Sequence, residues 1–173
     1  MERPLQPPPE DALPARRERE RAVDLALKAV ARRERTVSQL RSVLERKRVE
    51  PEAIEGAVEE LKASGLLDDA RYAQRFADDK RALERWGAER IARDLRKRGI
   101  APEHVERAVA GQDRKAEVDA ALELLRARFP QLPVDDRERD RAWRLLIRRG
   151  YEHELAYEAV RAHSQAAEVR RAA

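Results

Sequence analysis

The sequence contains no cysteine, which excludes disulfide bonds, thiolate nucleophiles and metal sites built on cysteine. Aromatic residues make up only 4% of the chain, so any hydrophobic core must be built from alanine and aliphatic side chains. No stretch approaches the ~20 consecutive apolar residues that span a bilayer, and the N-terminus carries no apolar secretion signal. These absences predict a cytoplasmic protein without membrane contact.

The residue patterns of common catalytic and cofactor sites are also missing. Only six glycines occur, and none forms a GxxxxGK or GxGxxG loop that would bind a nucleotide. The histidines, His104, His153 and His163, are too far apart for a recognisable metal motif. Asp68 and Asp69 are adjacent, and neighbouring helical side chains point about 100° apart, so we expect Asp68 to cap a helix. The sequence therefore predicts no enzymatic activity, no cofactor and no metal.

Charged residues, by contrast, make up 42% of the chain, with a net charge of +4. The densest basic segment, residues 85–100, holds six basic and only two acidic residues. One interpretation is a surface for DNA phosphates or an acidic protein, with an affinity that falls as salt rises. The other is a solvated helix end whose cations complement the helix dipole. The sequence leaves both interpretations open.

The sequence also contains an internal repeat. At a shift of 51 residues the chain matches itself twice without a gap. The matching sets include Leu40, Ile91 and Ala142; Leu44, Leu95 and Leu146; and Val58, Val109 and Val160. This register predicts three copies of one structural module.

Within each copy, apolar residues recur at helical spacing and predict three helices. The predicted helices are 18–33, 36–48 and 51–63; then 68–85, 88–98 and 102–110; then 113–129, 135–149 and 152–163. Thr36 with Gln39 has the spacing of a capping box, and Pro51 suits a first helical turn.

These elements predict an all-α fold of three tandem three-helix modules that form an elongated, curved array. The expected modules are residues 16–64, 65–111 and 112–164. Residues 1–15, with five prolines, predict a flexible tail, and residues 165–173 predict a frayed C-terminal tail.

Several short motifs inside the second copy resemble the central signature of the RecX family. They are Gly65-Leu66-Leu67-Asp68-Asp69, Tyr72-Ala73, Gly87, Arg90-Ile91, Asp94-Leu95 and Arg98-Gly99-Ile100. Residues 31–34 and 40–44 resemble the first module of that family and residues 145–151 the third, so the resemblance covers roughly residues 20 to 163. The first copy departs at Arg48, where the others have glycine, which leaves the geometry of its turn open.

The resemblance implies a monomeric, non-enzymatic regulator that binds RecA nucleoprotein filaments and mainly inhibits their recombinase and ATPase activities. Single-stranded DNA is a second candidate ligand for the basic face. The candidate contact residues are Arg90, Arg93, Lys97, Arg98, Arg148 and Arg149.

Two other functions remain as alternatives. One is a sequence-independent nucleic-acid-binding module, which would affect RecA only by coating its DNA. The other is a helical adaptor for proteins alone, whose affinity for single-stranded DNA would be nil even at low salt.

Overall fold

The computed structural model describes residues 12–111, 113–130 and 135–172, without the side chains of residues 12 and 166–172. Regular structure in these residues is helical throughout, which confirms the predicted all-α class. The helices are α1 (Ala12–Arg32), α2 (Val37–Arg46), α3 (Pro51–Ala63), α4 (Asp69–Glu84), α5 (Ala88–Lys97), α6 (Pro102–Val109), α7 (Arg114–Arg128), α8 (Asp136–Arg149) and α9 (His153–Ala172). Among the described residues, none of these helices has the length and apolarity to cross a membrane.

The chain divides into two compact units. The first comprises Met1–Tyr72 with Arg98–Ile100, and the second comprises Ala73–Lys97 with Ala101–Ala173. In the first unit α1 packs against α2 and α3. Its core is aliphatic, as the composition predicted, and includes Ala22, Ala26, Leu40, Leu44, Ile54, Val58 and Leu61.

In the second unit α9 packs against α7 and α8, and α5 packs against α6. The core around α9 includes Ala121, Leu125, Leu146, Tyr151, Leu155, Ala156 and Ala159. Burying a leucine side chain stabilises a fold by about 1.5 to 3 kcal/mol, so these apolar stripes hold the short helices in place.

Local sequence signals set several helix ends. Thr36 and Gln39 form the predicted capping box: the Gln39 amide donates to Thr36 Oγ1 at 3.2 Å, and the Thr36 amide donates to Gln39 Oε1 at 3.4 Å. Pro51 occupies the first turn of α3. The Arg71 amide donates to Asp68 Oδ1 at 2.9 Å, which confirms the cap of α4.

Two helices are longer than the sequence predicted. Helix α1 begins at Ala12, so Pro14 lies inside a helix and not in a flexible tail. A proline is tolerated there because the amides of a first helical turn have no partner within the helix. Residues 1–11 of the predicted tail lie outside the described part of the chain.

At the other end, α9 continues to Ala172, where fraying after His163 was expected. Residues 163–172 contain no glycine or proline, so nothing in the sequence terminates that helix.

The turn after α2 has the same backbone geometry as its counterparts. Arg48 has φ +57°, while Gly99 and Gly150 have φ +77° and +85°. In the first copy the Val49 amide donates to the Leu44 carbonyl, as Tyr151 does to Leu146 in the third. Arginine therefore occupies a left-handed position that glycine occupies in the other two copies.

Candidate functional site

The turn between α5 and α6 packs on the start of α2 within the first unit. Thr36 Oγ1 donates a hydrogen bond to the Arg98 carbonyl at 2.7 Å. A Cβ on Gly99 would lie 2.4 Å from the Ser38 Cβ, which is closer than two carbons approach without bonding. Glycine is therefore required here by close approach as well as by its positive φ. We call this contact the first junction.

The turn between α8 and α9 packs in the same way on the start of α5 within the second unit. The Gly87 amide donates to the Arg149 carbonyl at 2.9 Å, and the Glu89 amide donates to the Gly150 carbonyl at 3.1 Å. A Cβ on Gly150 would lie 2.3 Å from the Arg90 Cβ. We call this contact the second junction.

Each junction also places a carboxylate at the first amide of the receiving helix. The Val37 amide donates to Asp69 Oδ1 at 2.9 Å, and the Ala88 amide donates to Glu117 Oε1 at 3.2 Å. An anion at a helix N-terminus is favoured by the unpaired amides and by the helix dipole. Successive modules are thus joined by one rule: a turn and a carboxylate of one module dock at the start of the second helix of the module before it.

Arg90, a predicted contact residue, belongs to the second junction. Its guanidinium carbon lies 3.9 Å from the centroid of the Trp86 ring, a cation–π geometry. It also donates to the Arg148 carbonyl at 3.2 Å. Trp86 is only 8% exposed, so this aromatic residue packs inside the fold.

Arg149 and Arg98 also lie at junctions. The Arg149 guanidinium donates to the Glu84 carbonyl at 2.6 Å. Arg98 is half-buried beside the turn that meets Thr36. The side chains of Arg90 and Arg149 therefore hold backbone elements together, whereas Arg98 contributes its backbone carbonyl, and the density of basic residues in the sequence did not reveal this.

The other predicted contacts, Arg93, Lys97 and Arg148, are exposed. On α5, Arg96 is also exposed and joins Arg93 and Lys97 at spacings of three and four, so the three cations share one side of the helix. We call these three residues the α5 face. Across the described residues, no carboxylate forms an ion pair with any of the three.

Helix α8 carries a second cationic surface that the sequence analysis missed in part. Arg137, Arg141, Arg144 and Arg148 follow one another at spacings of four, three and four and are all exposed. Together with Asp140 they line a shallow cleft, and Arg144 pairs with Asp140 at 2.9 Å. We call these four arginines the α8 face. The sequence does show these arginines at helical spacing. A count of local charge misses them, because acidic residues lie between them.

Repeat positions relate the two faces. Arg93 matches Arg144, and Lys97 matches Arg148, at the shift of 51 residues. Elsewhere cations are neutralised: Arg41 forms two hydrogen bonds with Glu55, at 2.8 and 2.6 Å, and this guanidinium holds the pKa of Glu55 below its ordinary value. The α5 face differs from such pairs because none of its three cations forms an ion pair with a carboxylate of the described residues.

In the described part of the chain, no three His, Asp or Glu side chains are grouped so that they could hold a metal ion. Asp68 and Asp69 cap two different helices, α4 and α2, so the adjacent carboxylates do not converge on one ligand.

Comparison with known proteins gives consistent similarities over most of the chain. Models of the first, second and third three-helix domains of RecX match residues 22–61, 68–109 and 116–160. The regulatory protein RecX of Mycobacterium avium is 33% identical over 95% of this chain and 96% of that protein. The regulatory protein RecX of Thermobifida fusca is also 33% identical, over 84% of this chain and 80% of that protein.

The crystal structure of RecX from Lactobacillus salivarius resembles this structure in fold. Its TM-score is 0.75 at 18% sequence identity, and the match covers 88% of this chain and 97% of that one. These similarities confirm the three tandem three-helix modules.

Proposed function

The chain belongs to the RecX family, and from that membership we propose that it binds RecA nucleoprotein filaments and restrains their recombinase and ATPase activities. The relatives are named regulatory proteins, so the proposed action is binding, and ATP hydrolysis belongs to the partner.

The observation that supports a binding surface is the pair of cationic faces at equivalent repeat positions. Arg93, Arg96 and Lys97 lie on one side of α5, and Arg144 and Arg148 repeat two of those positions on α8. The three α5 cations, which pair with no carboxylate of the described residues, suit an acidic protein surface or DNA phosphates. A filament presents its subunits in repetition, and several weak contacts joined in one chain bind far more tightly than each alone.

In this proposal the six candidate contact residues have two roles. Arg93, Lys97 and Arg148, together with the rest of the two faces, contact the filament. The Arg90 and Arg149 side chains and the Arg98 carbonyl hold the junctions, so they fix the position of the helices that carry those faces.

The first experiment measures DNA-dependent ATP hydrolysis by RecA while this protein is added at substoichiometric amounts. We expect inhibition well below the amount that would coat the DNA. The variant Arg93→Glu with Lys97→Glu should lose most of that inhibition and show a flatter salt dependence of filament binding, because two attractive charges become repulsive.

The matched control is Arg107→Glu with Lys115→Glu, which changes the net charge equally at two exposed positions of the same unit. This control should inhibit nearly as well as the parent chain. If the α5 variant stays helical by circular dichroism and still inhibits fully, the assignment of the α5 face is wrong.

Direct binding of single-stranded DNA is the second candidate function, and the unpaired cations of the α5 face favour it. Fluorescence anisotropy with a labelled oligonucleotide at low and high salt tests it. Binding that disappears at high salt while RecA inhibition persists would show that filament contact does not depend on free DNA. No binding at low salt would leave a protein-only contact.

A further inference from the structure

The junction rule leaves one copy of each docking surface without a counterpart among the described residues. The turns after α5 and α8 dock on the starts of α2 and α5. The equivalent turn after α2 and the equivalent start of α8 take part in neither junction. If both had kept the docking geometry, the first module of one molecule could dock on the third module of another, and repetition would produce a filament of this chain.

The turn after α2 has the backbone conformation of the two docked turns but lacks their docking surface. Arg48 stands where the docked turns have Gly99 and Gly150. A Cβ at either glycine would lie less than 2.5 Å from the receiving helix, at 2.4 Å from Ser38 or 2.3 Å from Arg90. The exposed Arg48 side chain therefore prevents the same close approach.

The carbonyl of that turn is also occupied. Lys47 matches Arg98 and Arg149, whose carbonyls accept hydrogen bonds from the receiving helix. The Lys47 carbonyl instead accepts from the guanidinium of Arg21 on α1 at 3.1 Å. This end of the repeat has both a steric block and a satisfied acceptor.

The start of α8 is blocked by different means. Helices α2 and α5 begin at Val37 and Ala88, and the equivalent residue of the third module is Arg139. Helix α8 begins three residues earlier, at Asp136, and so has an additional turn in the place where a docked turn would lie.

The amides that would receive a docked turn are used inside the third module. Glu138 matches Gly87, whose amide binds the Arg149 carbonyl in the second junction. The Glu138 amide donates instead to Asp135 Oδ1 at 2.8 Å. Asp140 matches Glu89 and lies past the first turn of α8, where amides bond within the helix.

We propose that the two outer ends of the repeat are blocked against head-to-tail docking of a second copy of this chain, by Arg21 and Arg48 at one end and by the Asp135-capped turn at the other. Repeat arrays need atypical terminal faces because an unmodified face is complementary to the next module. Here the first and third modules supply those faces, and the protein acts as a single unit of three modules.

The test opens each end in a separate variant. Arg21→Ala with Arg48→Gly frees the carbonyl and removes the Cβ at the turn. Glu138→Gly with Arg139→Pro moves the start of α8 to residue 139, because proline suits a first helical position and cannot continue a helix upstream. Each variant alone has one blocked end, so each should sediment as a monomer.

Mixed in equal amounts, the two variants should form a heterodimer of twice the monomer mass. Sedimentation velocity at about 100 μM would detect it, because a contact with a Kd of about 10 μM is mostly occupied there. All four substitutions in one chain should produce longer, concentration-dependent oligomers. The control Arg19→Ala with Lys47→Gly also replaces one cation of α1 by alanine and one cation of the turn after α2 by glycine, and it should give no heterodimer.

The proposal is wrong if the mixture sediments as monomers while both variants remain helical by circular dichroism. If the proline variant loses helicity, Asp135→Ala with Glu138→Gly removes the same cap and takes its place in the mixture. A parent chain that already forms head-to-tail oligomers would also overturn it.

Discussion

Individual arginines in this chain differ in function although their sequence surroundings are alike. Arg90 stacks on Trp86 and Arg149 binds the Glu84 carbonyl, whereas Arg93 and Lys97, within two turns of Arg90, are exposed and unpaired among the described residues. Arginine suits both tasks because its planar guanidinium stacks on rings, donates several hydrogen bonds and stays charged. Exposure separates the two groups, and exposure depends on which module packs nearby.

His163 is the buried histidine of the third module, with only 3% of its surface exposed. Its Nε2–H donates to the carbonyl of Phe129, the residue that ends α7, at 3.1 Å. Burial lowers the pKa of His163, and this outweighs the hydrogen bond that acts in the other direction. The folded protein therefore favours the neutral ring.

This lowered pKa predicts a loss of stability in acid. Above the ordinary pKa of about 6.5 the ring is neutral in both states, and below it the unfolded chain binds the proton more readily. The free energy of unfolding should therefore decrease as the pH falls through about 6 and below. His163→Gln, which keeps a donor and does not titrate there, should flatten that part of the curve in urea titrations at several pH values. An unchanged pH dependence in this variant would assign the effect to other groups.

At the scale of elements, the joints between modules combine a left-handed turn with a helix N-terminus. Gly150 has φ +85° and lies against Arg90, while Gly65 has φ +69° with no atom within 4 Å of the position of its missing Cβ. The two glycines have similar backbone conformations and differ in their surroundings. They therefore separate the cost of backbone strain from the cost of a blocked contact.

Gly65→Ala should reduce the free energy of unfolding by about 1 to 2 kcal/mol, the cost of a left-handed L-residue. Gly150→Ala should reduce the free energy of unfolding by a further ~1 to 3 kcal/mol, because the added methyl group enters a contact that is already filled. Chemical denaturation of both variants measures the difference. Equal losses at the two positions would mean that the second junction is not closely packed in solution.

At the scale of the whole molecule, the proposed function depends on several contacts acting through one chain. Reversing two charges on the α5 face and two on the α8 face, Arg141 and Arg148, should each weaken filament binding. If both faces contact the partner independently, the fold losses in affinity should multiply in the combined variant. Filament binding by the parent chain and the three variants in one salt series provides the measurement. A combined loss no larger than the greater single loss would restrict the contact to one helix.

Many local features of this protein were predictable because they depend on residues a few positions apart. Thr36 with Gln39, Pro51 and Asp68 set helix ends as expected, since capping joins a side chain to an amide two or three residues away. The start of α1 at Ala12 was not predicted, because the five prolines of residues 1–15 together indicate a non-helical tail. The last of them, Pro14, lies in the first turn of α1, where a helix accepts proline. Of the α5 face, the sequence analysis named Arg93 and Lys97 as candidate contacts. Of the α8 face it named only Arg148, because the acidic residues between the arginines hide their regular spacing.

By itself, the sequence determined the helices, the repeat of 51 residues and the family, because each is encoded in neighbouring residues or in a fixed register. Only the tertiary structure showed that the Arg90 and Arg149 side chains and the Arg98 carbonyl lie in contacts between modules. It also showed how Arg48 and the first turn of α8 differ from their counterparts. The physical cause is separation: Gly99 meets Ser38, and Gly150 meets Arg90, across some sixty residues of chain. Local sequence preferences do not predict a contact between residues so far apart, because only the folded chain brings the two residues together.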